Sequence, residues 1–238
     1  MLLASKSYAE GSLALCLYCS KLVDEVDNVD SQKLLSLLTP VAKTFPAEFG
    51  LLANDLAIQV HGGYGYTRDF DVEQLYRDNR LNPIHEGTSG IQSLDLLGRK
   101  IIGDSGESLK IFTKRVVKTC DQAIQTSLKS DANYLLEVIE NLERVCEILI
   151  NSKDSNTLAN SSAFLTGFGH IVVGWIWLDM AIVALSQKDE DHYGQPFLNG
   201  KIATSRYFFE CELPKADMLL NFVAKKSDVV SSVKTEFF

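Results

Sequence analysis

Phe49-Gly50-Leu51-Leu52-Ala53-Asn54-Asp55-Leu56-Ala57-Ile58-Gln59-Val60-His61-Gly62-Gly63-Tyr64-Gly65 reads as a helix running into a glycine stop. Apolar residues recur at Phe49, Leu52, Ala53, Leu56, Ala57 and Val60, the three- and four-residue spacing of one helical face. Glycines at 62, 63 and 65 then end it, because a residue without Cβ takes the backbone conformations that close a helix. Downstream come Tyr76-Arg77-Asp78 and a second glycine turn, Ile84-His85-Glu86-Gly87-Thr88-Ser89-Gly90-Ile91-Gln92, which holds a lone carboxylate.

The same helical period extends in both directions. From Met1 to Val26, Ala9, Leu13, Cys16, Leu17 and Ser20 share one face. Asp30 and Ser31 offer caps for a helix through Leu34, Leu35, Leu37, Leu38, Val41 and Ala42, and Pro40 and Pro46 predict a kink or restart near Phe45. Short helices are expected over Val72–Leu81 and Thr88–Ile102. The small polar run Gly103-Asp104-Ser105-Gly106 marks a boundary between residues 1–103 and 104–238. Beyond it, Leu109, Phe112, Val116, Cys120 and Ala123 form one stripe, and Leu135, Val138, Leu142, Val145 and Leu149 a second. Asn156–Leu185 and Gly200–Val223 complete the chain, with a polar loop from Asp189 to Pro196 between them. No alternating strand pattern of any length occurs, so the expected class is all-α: one helical bundle followed by a second.

Composition bounds the function. With 238 residues, 46% of them apolar, the chain can bury a sizeable core. A formal net charge of -8 argues against nucleic-acid binding, which needs a basic stripe to displace counterions from phosphates. Five cysteines without a repeating spacing suit a reducing compartment, and Cys16-Leu17-Tyr18-Cys19 reads as core cysteines in an apolar run. Met1-Leu2-Leu3-Ala4 shows no basic stretch leading into an apolar one, so no secretory signal is expected. The segment Leu165–Leu185 is apolar enough to mimic a membrane span, yet Asp179 within it favours a buried core helix.

Taken alone, the two glycine turns are weak signals. The first lacks the Gly-Lys-Ser of a phosphate-binding loop and follows a helix rather than a strand, so a simple helix stop fits it. Glu86, two residues before Thr88, equally fits a carboxylate placed to favour a helix N-terminus. A metal site at His85-Glu86 is not expected, since no histidine follows at helical spacing. His170 reads as structural, His192 as solvated, Tyr76-Arg77-Asp78 with Arg80 as a salt-bridged face, and Arg99 and Lys100 as helix-end decoration.

In combination and order, these motifs resemble the carboxyl-terminal helical domain of the acyl-CoA dehydrogenases, flavoenzymes that remove two hydrogens from an acyl-CoA thioester. Tyr66-Thr67-Arg68-Asp69-Phe70, Arg77-Asp78-Asn79-Arg80-Leu81-Asn82-Pro83-Ile84-His85-Glu86-Gly87-Thr88 and Leu94-Asp95-Leu96-Leu97-Gly98-Arg99-Lys100 resemble the branch with an added carboxyl-terminal helical domain. That branch includes dehydrogenases acting on 3-methylthiopropanoyl-CoA. The resemblance is strong over residues 1–102 and architectural over 105–238.

The resemblance implies the following. Glu86 is the base that takes the α proton, and its backbone N–H, with Gly87 beside it, holds the thioester carbonyl. Because no side chain accepts hydride, FAD is required. Gln59, His61, Gly62 and Gly63 contact the pyrophosphate of an FAD held mainly by a neighbouring subunit, and Thr88, Ser89 and Gly90 form a second flavin contact. Gly90 stands where many members carry glutamine, which leaves a backbone contact there. Tyr76-Arg77-Asp78 braces the active-site turn. Electron-transfer flavoprotein or a similar acceptor, a homodimer or homotetramer, and a cytoplasmic location, or the mitochondrial matrix, follow in the same way. The family's amino-terminal helical domain and middle β domain are not among these 238 residues. The reading is therefore the carboxyl-terminal portion of an FAD-dependent acyl-CoA dehydrogenase, as a fragment or one half of a split enzyme. Its alternative is a non-catalytic helical interaction module derived from one.

Overall fold

A computed structural model describes residues 1–187 and 193–238, so the first half of the Asp189–Pro196 loop, with His192, lies outside the described residues. Among the described residues there are nine α-helices and no strand: α1 Leu2–Asp24, α2 Val29–His61, α3 Val72–Asn79, α4 Ser89–Leu94, α5 Glu107–Ile124, α6 Lys129–Ile150, α7 Ser161–Ser186, α8 Gln195–Tyr207 and α9 Pro214–Ala224. The α4 helix continues as a wider π-turn over Asp95–Ile102, and a second π-turn, Phe208–Glu212, joins α8 to α9.

The core is organised around α7. Its residues are apolar on every side, and from Gly167 to Leu178 each one is buried, as expected of a helix enclosed by others. It is long and apolar enough to cross a membrane, but 72% of its apolar window is covered inside the protein, and Asp179 sits on its exposed side. Trp175 Nε1 donates to Thr119 Oγ1 on α5 at 2.8 Å, and Trp177 Nε1 donates to the Ser7 carbonyl on α1 at 3.1 Å, so both indoles are buried with their donors satisfied. Both stripes read from α5 and α6 are buried residue for residue. Side chains from before and after the 103–106 turn join one continuous core cluster.

Four local expectations need correction. On α1 the buried face is Ala4, Tyr8, Gly11, Leu15, Cys19 and Leu22, while Leu13 and Leu17 are about 60% exposed. The helix is apolar on two sides, and the small residues decide which side lies against α7. A Cβ on Gly11 would come within 2.7 Å of Val173 Cγ1 and 2.8 Å of Trp177 Nε1, so the close approach of α7 needs a glycine there. The second helix is capped by Asn28, whose extended backbone lets its side chain accept from Ser31 N at 3.1 Å, and not by Asp30 or Ser31. That helix also runs unbroken through Pro40 and Pro46. Burial of Leu37, Leu38, Val41 and Phe45 offsets the backbone bonds the prolines forgo. Finally, Thr88–Ile102 is not uniform α-helix: Gly103 N bonds Gly98 O at 3.0 Å, five residues back. The wide turn lets Asp95 reach both Arg99 and Lys100 at 2.7 Å, which ties those two cations to a carboxylate.

Gly11→Val should overpack the α1–α7 contact. The expected loss is about 2 kcal/mol, a fall of roughly 4–8 °C in the melting midpoint followed by circular dichroism. An unchanged midpoint would show that α1 can shift at no cost.

Candidate active site

The Glu86 turn is set by its backbone. Glu86 and Gly87 both lie in the left-handed region, with φ of 57° and 88°. Glycine accepts this conformation readily and a glutamate does not, so the chain holds Glu86 in a disfavoured state of the kind that gathers at functional turns. On the incoming side, Ile84 N bonds Leu81 O at 2.9 Å and the His85 ring Nδ1 lies 3.2 Å from that same carbonyl. On the outgoing side, Thr88 is the N-cap residue of α4, and Gln92 Nε2 donates to Glu86 O at 3.4 Å.

Glu86 is exposed, and its backbone N–H finds no acceptor among the described residues. It lines a cavity of about 270 Å³ together with Lys43, Pro46, Ala47, Asn82 and His85. Exposed apolar side chains flank it along the chain: Leu81 at 56%, Ile84 at 52% and Ile91 at 60%. A carboxylate, a free N–H donor and an uncovered apolar surround suit proton abstraction beside a bound carbonyl once a further surface closes over them.

The glycine turn lies at the far end of α2. His61 Nδ1 donates to Ala57 O at 2.8 Å, and the His61 ring rests 5.3 Å from that of Phe70. Gly62 has φ of 63° and begins a tight 3-10 turn, Gly62–Tyr66. Nothing lies within 4 Å of a Cβ built on Gly62, Gly63 or Gly90. Gln59, His61, Gly62 and Gly63 are all exposed. Open backbone with room above it fits the close approach of a pyrophosphate, so the residues present suit FAD. Pro46, beside Glu86, and His61 are separated by 15 helical residues, roughly 22 Å of axis. The structure therefore does not bring the glycine turn and Glu86 into one small pocket. Thr88, Ser89 and Gly90 stand beside Glu86, and the Ser89 hydroxyl donates to Glu48.

Among the described residues no group of three His, Cys, Asp or Glu side chains has a metal-holding arrangement. Burial pushes the Cys19 thiol up to about 11 and raises that of Cys16, which makes both poor nucleophiles. Arg77 pairs with Glu73 at 3.5 Å on an exposed face.

Sequence reasoning passed over one buried polar cluster. Glu212, only 2% exposed, stands in the second π-turn with Lys215 Nζ at 2.6 Å, Tyr207 OH at 3.4 Å and His170 Nε2 at 3.6 Å. Pro214 explains the widened turn: it has no N–H to donate, and Leu213 N bonds instead to Phe208 O at 2.8 Å.

Residues 4–102 match the family model described as acyl-CoA dehydrogenase, C-terminal domain, and residues 112–234 match the one described as acetyl-CoA dehydrogenase C-terminal like. The chain belongs to the acyl-CoA dehydrogenase family and corresponds to its carboxyl-terminal domains. Among relatives, it is 31% identical over 221 residues to the 3-methylmercaptopropionyl-CoA dehydrogenase of Ruegeria pomeroyi, a match covering 87% of this chain and 37% of that protein. ACDH-11 of Caenorhabditis elegans, solved in complex with C11-CoA, shares the fold at a TM-score of 0.73 and 22% identity, over 94% of this chain and 38% of that one. An acyl-CoA dehydrogenase from Bacillus anthracis, solved complexed with FAD, aligns at 0.62 and 18% identity over 98% and 41%. The chain thus spans well under half the length of these relatives.

Proposed function

We propose that this chain supplies the base and part of the flavin-binding surface of an FAD-dependent acyl-CoA dehydrogenase. The observation that carries the reading is the Glu86 turn: an exposed carboxylate at a left-handed backbone, a free N–H and apolar neighbours awaiting cover. The Glu86 carboxylate takes the α proton of the thioester, and the Glu86 N–H donates to the thioester carbonyl as charge develops there. When bound, FAD supplies the acceptor for the β hydride. Gln59, His61, Gly62 and Gly63 would hold the pyrophosphate of a flavin carried mainly by a neighbouring subunit, and their distance from Glu86 supports service to a second site. Thr88, Ser89 and Gly90 would make the nearer flavin contact. A homodimer or homotetramer, with electron-transfer flavoprotein or a similar protein as the onward acceptor, completes the proposal. A cytoplasmic or mitochondrial-matrix location would suit the free cysteines, and cell fractionation reads it directly.

The test is spectroscopic. Residues 1–238 purified alone should fold as helical protein, retain little FAD and show no acyl-CoA-dependent dye reduction, because hydride transfer needs the flavin ring held against the β carbon. Joined to the flavin-holding portion of a relative, the same residues should yield a yellow protein that acyl-CoA bleaches. A colourless or unbleachable product would favour the non-catalytic module. Robust turnover by residues 1–238 alone would overturn the division of labour proposed here.

A further inference from the structure

The chain on either side of Glu86 is fastened to α2 at two charged residues. On the incoming side, Lys43 Nζ donates to the Asn82 carbonyl at 2.8 Å. A relay of carboxamides supports the same point: Asn82 Nδ2 donates to Asn79 Oδ1 at 2.6 Å, and Asn79 Nδ2 donates to Asn54 Oδ1 on α2 at 2.7 Å. Gly50 makes room for that relay, since a Cβ there would lie 3.3 Å from Asn79 Nδ2. On the outgoing side, the Ser89 hydroxyl donates to the Glu48 carboxylate. Asn82 is four residues before Glu86 and Ser89 three residues after it.

Between these anchors the turn is not packed down. His85 and Glu86 line an open hollow of about 270 Å³ whose other walls are Lys43, Pro46, Ala47 and Asn82, so one side of the turn is left unfilled. Apart from the long bond from Gln92 Nε2 to Glu86 O, the two consecutive positive φ values are held from the ends. Both anchors are hydrogen bonds with one charged partner, the stronger kind.

We propose that Lys43 and Glu48 are positioning residues that clamp the Glu86 turn against α2 and fix the direction of its carboxylate and N–H. This rests on the reading of Glu86 as the base. Its physical sense is that a base displaced by an ångström loses much of its rate, and a turn with an unfilled hollow beside it has room for such a displacement. The anchors differ in kind: at Lys43 the turn's own backbone accepts, and at Glu48 a side chain beyond the turn donates.

Hydrogen exchange of residues 1–238 tests the clamp without flavin. Amides that bond within the anchored segments report it: Asn82, Ile84 and His85 on one side and Gln92 on the other. Lys43→Met should speed exchange at the first three about tenfold, and Glu48→Ala should do the same at Gln92, with melting midpoints within roughly 2 °C of the parent. Lys43→Arg, which keeps a donor, and Glu48→Gln, which keeps an acceptor, should restore protection. In the flavin-bleaching assay Lys43→Met should lower the rate at saturating acyl-CoA about tenfold with half-saturation unchanged. Unchanged exchange in both variants would overturn the clamp, and faster exchange with an unchanged bleaching rate would overturn the positioning role. Faster exchange in a protein whose Glu86→Gln variant still bleaches normally would leave the clamp standing and remove the base.

Discussion

Glu86→Gln is expected to leave flavin bound but to slow its reduction by acyl-CoA at least about 100-fold, in residues 1–238 joined to a relative's flavin-holding portion. Glutamine keeps the side-chain shape and the backbone N–H that would hold the thioester carbonyl, and it removes only the capacity to take the α proton. Ground-state binding should therefore persist while the chemical step fails, so half-saturation by acyl-CoA should change little beside the rate. Because Glu86 is exposed and its side chain supports no buried contact, the melting midpoint should stay within roughly 2 °C. Near-normal bleaching by Glu86→Gln would remove Glu86 from the base role. A variant that lost its flavin would instead point to Glu86 as a structural part of the cofactor site.

The legible parts of this chain are those whose information is local. The α5 and α6 stripes were readable because three- and four-residue spacing on a strongly amphipathic helix states its own buried face. The α7 helix was readable as core because apolar residues on every side leave no other soluble place for it. On α1 the same reading failed, since Leu13 and Leu17 offered an apolar face as good as the buried one, and only the partner helix selects between them. Gly11 and Ser7 were the available signal, as small residues mark where two helices meet closely. The order of glycine turns and carboxylate was legible at the site, but Lys43, Glu48 and Asn54 were not. Their partners lie 39, 41 and 25 residues away, and nothing in a helical period announces a bond of that span. The exposure of Glu86 was also hidden, for the dry surround its proposed chemistry wants is not built from these residues.

Glu212→Ala should cost about 3 kcal/mol at neutral pH, roughly 6–12 °C in melting midpoint. Burial alone would raise this carboxyl above its ordinary value of 4.5, but the polar groups gathered round it, the Lys215 ammonium among them, outweigh that and hold it lower. Burial, then the nearby anion, pushes the Tyr8 phenol upward, so it stays a protonated donor. Tyr207 is on α8, His170 on α7 and Lys215 on α9, so the carboxylate stands where three helices meet. Removing it leaves a void beside the buried His170 ring and takes away the acceptor of Lys215 Nζ and Tyr207 OH, whereas Glu212→Gln keeps the packing and should cost only about 1–2 kcal/mol. The pH dependence follows from the direction of the shift. Folding favours the anion, so the contribution is fully present above about pH 4.5 and is lost as pH falls through the lower folded value. Urea unfolding of the parent should therefore weaken more steeply below pH 4.5 than that of Glu212→Gln. Equal acid slopes in the two proteins would show that Glu212 is not held as an anion. An unchanged midpoint for Glu212→Ala at neutral pH would show that the three helices meet without its help.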